Sequence, residues 1–181
     1  MRALIYIIDT LSTLITFVFL LRFWLPWFRV DFRNPLAQGI LQITSPVINP
    51  LRRIVPSIGR IDSATVLVAF LLQASTLLVL TLLAGGEPSA RYVVFGSLLR
   101  LAILSLKMFT FAIIIRIVLS WIAPLTHNPM TALLARITEP LLRPFRRFIP
   151  PLGGFDISPI FAIILLGALT MLLEDAAAVL R

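Results

Sequence analysis

Cysteine is absent from the 181 residues, so no disulfide, thiolate chemistry, iron–sulfur ligation or covalent haem attachment runs through this chain. Histidine is almost absent, and the single His127 excludes a two-histidine metal or haem site within one copy. Paired carboxylates, a metal-ligand cluster, a nucleophile beside its base and a phosphate-cradling glycine loop are also missing. Enzymatic activity is therefore disfavoured, and no cofactor is expected. Charge is sparse too, at 13% of residues against 59% hydrophobic, with a mean hydropathy of +1.01. That balance is far too apolar for a soluble domain and predicts an all-α, multi-pass membrane protein. Acid is scarcer than base, with 8 acidic residues against 16 basic. In such a chain the basic residues bear first on topology and anionic lipid, and nucleic acid is disfavoured as a partner.

What is present begins with long apolar runs. A helix crossing a bilayer needs about 20 apolar residues, and spans are predicted at about 3–27, 63–84, 93–122 and 158–173. The first contains Asp9 and lacks a small-residue cleavage site behind a short apolar core, so it reads as a retained span and not a signal peptide. Gly85-Gly86-Glu87-Pro88 reads as a tight turn dividing the chain into halves, 1–86 and 87–181. Each half has the order span, long loop, span, with the loops at 29–62 and 123–157. Two spans per half return the chain to the same side, so the repeats are parallel, unlike the inverted repeats typical of alternating-access transporters.

The two loops repeat one another. Asn34, Pro35, Ile43, Thr44, Pro46, Pro50, Arg52, Arg53, Pro56, Gly59 and Asp62 recur without a gap as Asn128, Pro129, Ile137, Thr138, Pro140, Pro144, Arg146, Arg147, Pro150, Gly153 and Asp156. Upstream, Arg22 and Trp27 align with Arg116 and Trp121. A repeat within so short a chain is one structural unit used twice.

Each loop carries its own physics. Asn34 before Pro35, and Asn128 before Pro129, is an N-cap acceptor followed by proline where a missing N–H costs nothing, so a helix starts there. Leu36, Ile40, Ile43 and Val47 follow at helical spacing until Pro46 is expected to interrupt them, and Pro50 opens one further turn. Arg52 and Arg53 then point away from the apolar side, as Arg146 and Arg147 do among Phe145, Phe148 and Ile149. Such a segment is too short and proline-broken to span, and three arrangements stay open: an interfacial helix with arginines towards phosphates, an elbow packed on the bundle, or a re-entrant hairpin. Gly59 and Gly153 allow turns, and Asp62 and Asp156 are placed to cap the following spans. The nine arginines of the two loops outweigh Arg2, Arg91 and Arg181 on the other side. By the positive-inside rule the loops are cytoplasmic and both termini outside.

Ionisable residues inside spans are candidates for function. Arg22 and Arg116 are expected either to snorkel to headgroups or to pair with Asp62 and Asp156. Asp9 and Lys107 are expected to form an ion pair between the first and third spans, and Arg100 to lie at or beyond the outer interface. His127, outside the matched positions, is expected to be an interfacial loop residue and not a ligand.

The Asn-Pro starts, the Pro46 to Pro56 and Pro140 to Pro150 cores with their arginine pairs, and the glycine–aspartate ends together resemble the YggT family. That family includes the YlmG proteins of bacteria and related plastid proteins. The resemblance covers almost the whole chain and implies an integral protein of the bacterial inner membrane. It also implies links, differing between lineages, with cell division and nucleoid distribution, osmotic tolerance, or maturation of a plastid membrane cytochrome. Read with the residues, the expected function is a non-enzymatic membrane organiser or assembly factor. It would use Arg52, Arg53, Arg146 and Arg147 to grip anionic lipid or an unidentified protein, with homo-oligomers allowed. The alternative is a small ion or solute channel or transporter acting as an oligomer.

Overall fold

The computed structural model describes residues 1–59, 61–122, 128–149 and 156–180, and these form six helices with no strand among them. Four helices are long and apolar enough to cross a membrane: α1 (Arg2–Trp27), α3 (Ser63–Leu83), α4 (Ala90–Ile122) and α6 (Ser158–Val179). The fourth runs past the expected end at 173, because the charges at Glu174 and Asp175 do not stop a helix whose following residues are alanine, a strong helix former. Between the spans lie two shorter helices, α2 (Pro35–Arg52) and α5 (Pro129–Phe148).

Asn34 starts α2 as its side chain accepts from the Leu36 and Ala37 amides at 2.9 and 3.4 Å. Asn128 starts α5 in the same way, accepting from the Met130 and Thr131 amides at 2.6 and 3.1 Å, with Thr131 returning the bond as a capping box. The expected interruption at Pro46 does not occur. Both α2 and α5 run unbroken through two prolines, Pro46 and Pro50 in one and Pro140 and Pro144 in the other. A proline in a helix removes the donor to the carbonyl four residues earlier. Here the prolines and the residues whose carbonyls are freed, Gln42 and Pro46, then Arg136 and Pro140, all lie on exposed positions. No buried acceptor is stranded, so the helix survives.

The bundle is built by α1 packing along α3 and α4 packing along α6, with α3 and α1 meeting α4. α2 lies against α1 and α3, α5 lies against α4 and α6, and the two short helices touch. The Asn34 side-chain amide donates to the Pro129 carbonyl at 2.7 Å, tying their starts together. Leu20, Leu25, Ala37, Phe109, Ile113, Leu134, Ile137 and Leu166 belong to one buried cluster that draws on α1, α2, α4, α5 and α6. Phe109 meets Trp24 and Phe28 edge-on, with ring centres 5.0 and 5.6 Å away. Between spans, packing is supplemented by polar bonds: Gln73 donates to Thr16 at 2.9 Å, Ser12 bonds Thr76, and the Trp24 indole donates to Ser105 at 3.2 Å. In lipid such bonds add to close packing, since hydrophobic burial between spans drives little.

Gly59 and Gly85 have positive φ, 61° and 77°, as the turns after α2 and α3 require. Gly153, Pro150 and His127 lie outside the described residues.

Candidate functional site

Where α1 ends and α3 begins, the polar groups of the first half converge. Arg22, near the end of α1, is only 3% exposed. Its Nη1 donates to Thr44 Oγ1 at 2.6 Å, to the Leu41 carbonyl at 3.2 Å and to Ser45 Oγ at 3.3 Å, all on α2. Its Nε reaches Asp62 Oδ2 at 3.5 Å. Arg52, at the end of α2, grips the same carboxylate with two donors, Nε at 3.2 Å and Nη2 at 2.5 Å, while the Thr65 hydroxyl donates at 2.7 Å. Arg22 therefore does pair with Asp62 within one half. The expected capping by Asp62 fails: its carboxylate accepts no backbone N–H from the first turn of α3 and takes only the Thr65 hydroxyl there, because that hydroxyl and two guanidiniums already occupy it. Burial pushes the Asp62 carboxyl up, yet the bonds from Arg52 and Thr65 and the charges of Arg52 and Arg22 outweigh it and hold it below the usual carboxylate range.

The aligned residues of the second half gather similarly. Arg116 Nη1 donates to Thr138 Oγ1 at 2.7 Å, matching the bond from Arg22 to Thr44. Arg146 Nε donates to Asp156 Oδ2 at 2.8 Å, matching Arg52 and Asp62. One element differs. Glu139 stands where the first half has Ser45, and it accepts from Arg116 at 3.0 Å and from Arg146 at 2.6 Å. Arg116 thus pairs with Glu139 and not with Asp156. Asp156 does bond the start of α6, accepting from the Ser158 amide at 2.9 Å. Burial opposes ionisation of Glu139 and Asp156. For Glu139 the bonds and charges of Arg116 and Arg146 prevail, and for Asp156 those of Ser158 and Arg146, so both carboxyls lie below their usual range.

These clusters divide the four arginines grouped by sequence. Arg52 and Arg146 turn back onto carboxylates, and their guanidiniums are held more firmly protonated than usual: the Asp62 bond leads for Arg52, whereas for Arg146 the carboxylate bonds overcome a burial cost. The side chains of Arg53 and Arg147 are exposed and bond no described residue, as are those of Arg136 and Arg143 on α5. Ile54 and Phe148, next in sequence to Arg53 and Arg147, are exposed apolar side chains, as are Ile43 and Val47 on α2. Sequence reading missed Glu139, which has no counterpart in the first loop. It did not single out Thr44 and Thr138, though their recurrence among the matched positions was the available signal.

The charges within the spans pair differently from expectation. Asp9 bonds Arg100 at 2.5 Å and Lys107 bonds Glu174 at 2.7 Å, so the expected pair of Asp9 with Lys107 is not formed. Arg100 lies ten residues inside α4, bonded to Asp9. The reason is register: Arg100 sits two helical turns nearer the start of α4 than Lys107, level with the early turns of α1 that carry Asp9, whereas Lys107 meets the late turns of α6. Among the described residues, no group of three or more His, Asp or Glu could hold a metal ion.

A family model described as CCB3/YggT matches residues 1–83 and again residues 95–177. An uncharacterised protein of Pseudomonas aeruginosa is 44% identical over 172 residues, covering 94% of this chain and 87% of its own. The uncharacterised protein YggT of Escherichia coli K12 is 36% identical over 171 residues, covering 94% and 89%. A chloroplastic YlmG homolog protein 2 of Arabidopsis thaliana is 41% identical over 68 residues, 36% of this chain and 26% of its own. No solved structure matches the chain.

Proposed function

Since the chain belongs to the CCB3/YggT family, we propose that it is a non-enzymatic organiser or assembly factor of the bacterial inner membrane, built from two parallel repeats whose short helices α2 and α5 lie at the cytoplasmic face. These helices grip anionic lipid or a protein partner. The single observation that carries this reading is the division of labour among the repeated arginines. Arg52 and Arg146 clamp the end of each short helix to the next span. Arg53, Arg136, Arg143 and Arg147 are left exposed, next to exposed apolar side chains. An apolar surface with arginines at its edge suits the interface of an anionic leaflet, where each arginine contributes roughly 1 kcal/mol. Participation in cell division or osmotic response belongs to the same proposal. A small solute channel is the second reading, favoured by the polar cleft around Asp9 and Lys107.

The test is in-cell photo-crosslinking from probes at Ser57 and Ala132, with adducts identified by mass spectrometry. A recurrent protein or anionic-lipid adduct that disappears in an Arg53→Gln, Arg147→Gln protein is expected. Adducts unchanged by that double substitution would sink the proposal.

A further inference from the structure

The two halves carry the same arginines, threonine and aspartate, but only the first half closes over them. There the Arg22 side chain is 3% exposed and its Nε reaches Asp62. In the second half the Arg116 side chain is 26% exposed and makes no bond to Asp156. Arg116 and Asp156 instead line a cleft of about 610 Å³ framed by α4, α5 and the start of α6, with Arg146 as a third polar wall residue. Arg116 uses Nη1 on Thr138 and Nη2 on Glu139, while Arg146 uses Nη1 on Glu139 and Nε on Asp156. Arg116 Nε and Arg146 Nη2 bond nothing among the described residues, and neither is enclosed. Two accessible guanidinium donors therefore line one cleft. Asp156 does not claim them, since its two oxygens already accept from Arg146 Nε and from Ser158.

Charge and the rest of the wall decide what those donors receive. α5 carries Arg136, Arg143, Arg146 and Arg147 against the single carboxylate of Glu139, so the field around the cleft favours an anion. The remaining wall is apolar, with Ile117 and Trp121 from α4, Leu142 from α5 and Ile160 from α6. Trp121 and Ile160 are also exposed, so this wall continues onto the outer surface of the spans, where acyl chains lie. We propose that the cleft binds one anionic phospholipid per chain, with its phosphate against Arg116 and Arg146 and an acyl chain along Ile117 and Ile160. The guanidinium fork suits phosphate oxygens, and the volume lies within the roughly 300–1,000 Å³ of small-ligand sites. A free phosphate would leave the apolar wall bare, so the lipid is the occupant. The first half has no equivalent vacancy at Arg22, because Asp62 already stands against it. This inference rests on the reading of α5 as a helix at the anionic cytoplasmic leaflet, but it uses neither Arg53 nor Arg147.

The test is native mass spectrometry of the full chain in neutral detergent, titrated separately with phosphatidylglycerol and phosphatidylethanolamine. One phosphatidylglycerol per chain should be retained about tenfold more tightly than phosphatidylethanolamine. That preference should vanish in Ser120→Trp and in Ile160→Trp, which fill the cleft from opposite walls and remove no ion pair, and persist in Arg53→Gln, Arg147→Gln. Glycerol phosphate, a head group without chains, should not compete. Equal retention of the two lipids, a preference that survives both tryptophans, or displacement by glycerol phosphate would overturn the proposal. A preference lost only in Arg53→Gln, Arg147→Gln would overturn it too, while leaving the function proposed for those arginines standing.

Discussion

Arg22 Nε and Asp62 Oδ2 lie 3.5 Å apart in an ion pair whose side chains are 3% and 7% exposed. Separation alone would make this a weak contact, yet its burial makes removal of one partner expensive. Without Asp62 the charge of Arg22 has no counter-ion and little water, a situation that costs about 3–5 kcal/mol. Asp62→Asn should therefore lower the unfolding free energy in detergent by that order. Glu139→Gln, whose carboxylate is 46% exposed beside Arg116, should cost under about 1 kcal/mol. Equal losses in the two variants would mean that burial does not set the scale here.

Acid should act on the same clusters. Asp62, Glu139 and Asp156 have folded pKa values below their ordinary ones, so each binds protons less readily folded than unfolded. The stability they confer is complete above the unfolded values, about 3.9 for Asp and 4.3 for Glu. It is lost as pH falls through the lower folded values. Melting in detergent should be flat from about pH 8 to 5 and drop below about pH 4, with a smaller drop in Asp62→Asn. A drop centred near neutrality would point to other groups.

The four spans and the starts of α2 and α5 were legible because their signals are local: apolar run length, and asparagine followed by proline. Helix continuity through Pro46 and Pro140 was not, since it depends on which side faces out, and that follows from packing on α1 and α4. The pairing of Arg22 with Asp62 could be read from the two recurring together. Glu139 could not, because a repeat points only to what is shared and Glu139 aligns with Ser45. The partners of Asp9 and Lys107 depended on relative depth of spans joined by no sequence pattern, where an error of two turns exchanges one partner for another.

The Gln73 amide and Thr16 hydroxyl, both buried and 2.9 Å apart, join α3 to α1 in the middle of the bundle. Polar bonds between spans contribute about 0.6 kcal/mol on average and about 1.7 at most. Gln73→Leu should thus destabilise by less than about 2 kcal/mol in a detergent unfolding titration. A double-mutant cycle with Thr16→Val should recover coupling of that size, and a coupling of zero would show that the two side chains only fill space.

Sidedness can be tested without removing any native thiol, because the chain contains no cysteine. Ser57, between α2 and α3, and Ser89, between α3 and α4, are both exposed and lie at opposite ends of α3. With the arginine-rich segments in the cytoplasm, Ser89→Cys should react with a membrane-impermeant maleimide in intact spheroplasts. Ser57→Cys should react only after the membrane is opened. The reverse pattern would place Arg53 and Arg147 outside the cell, where no anionic cytoplasmic leaflet or cytoplasmic partner is available to them, and the organiser function would fall with the orientation.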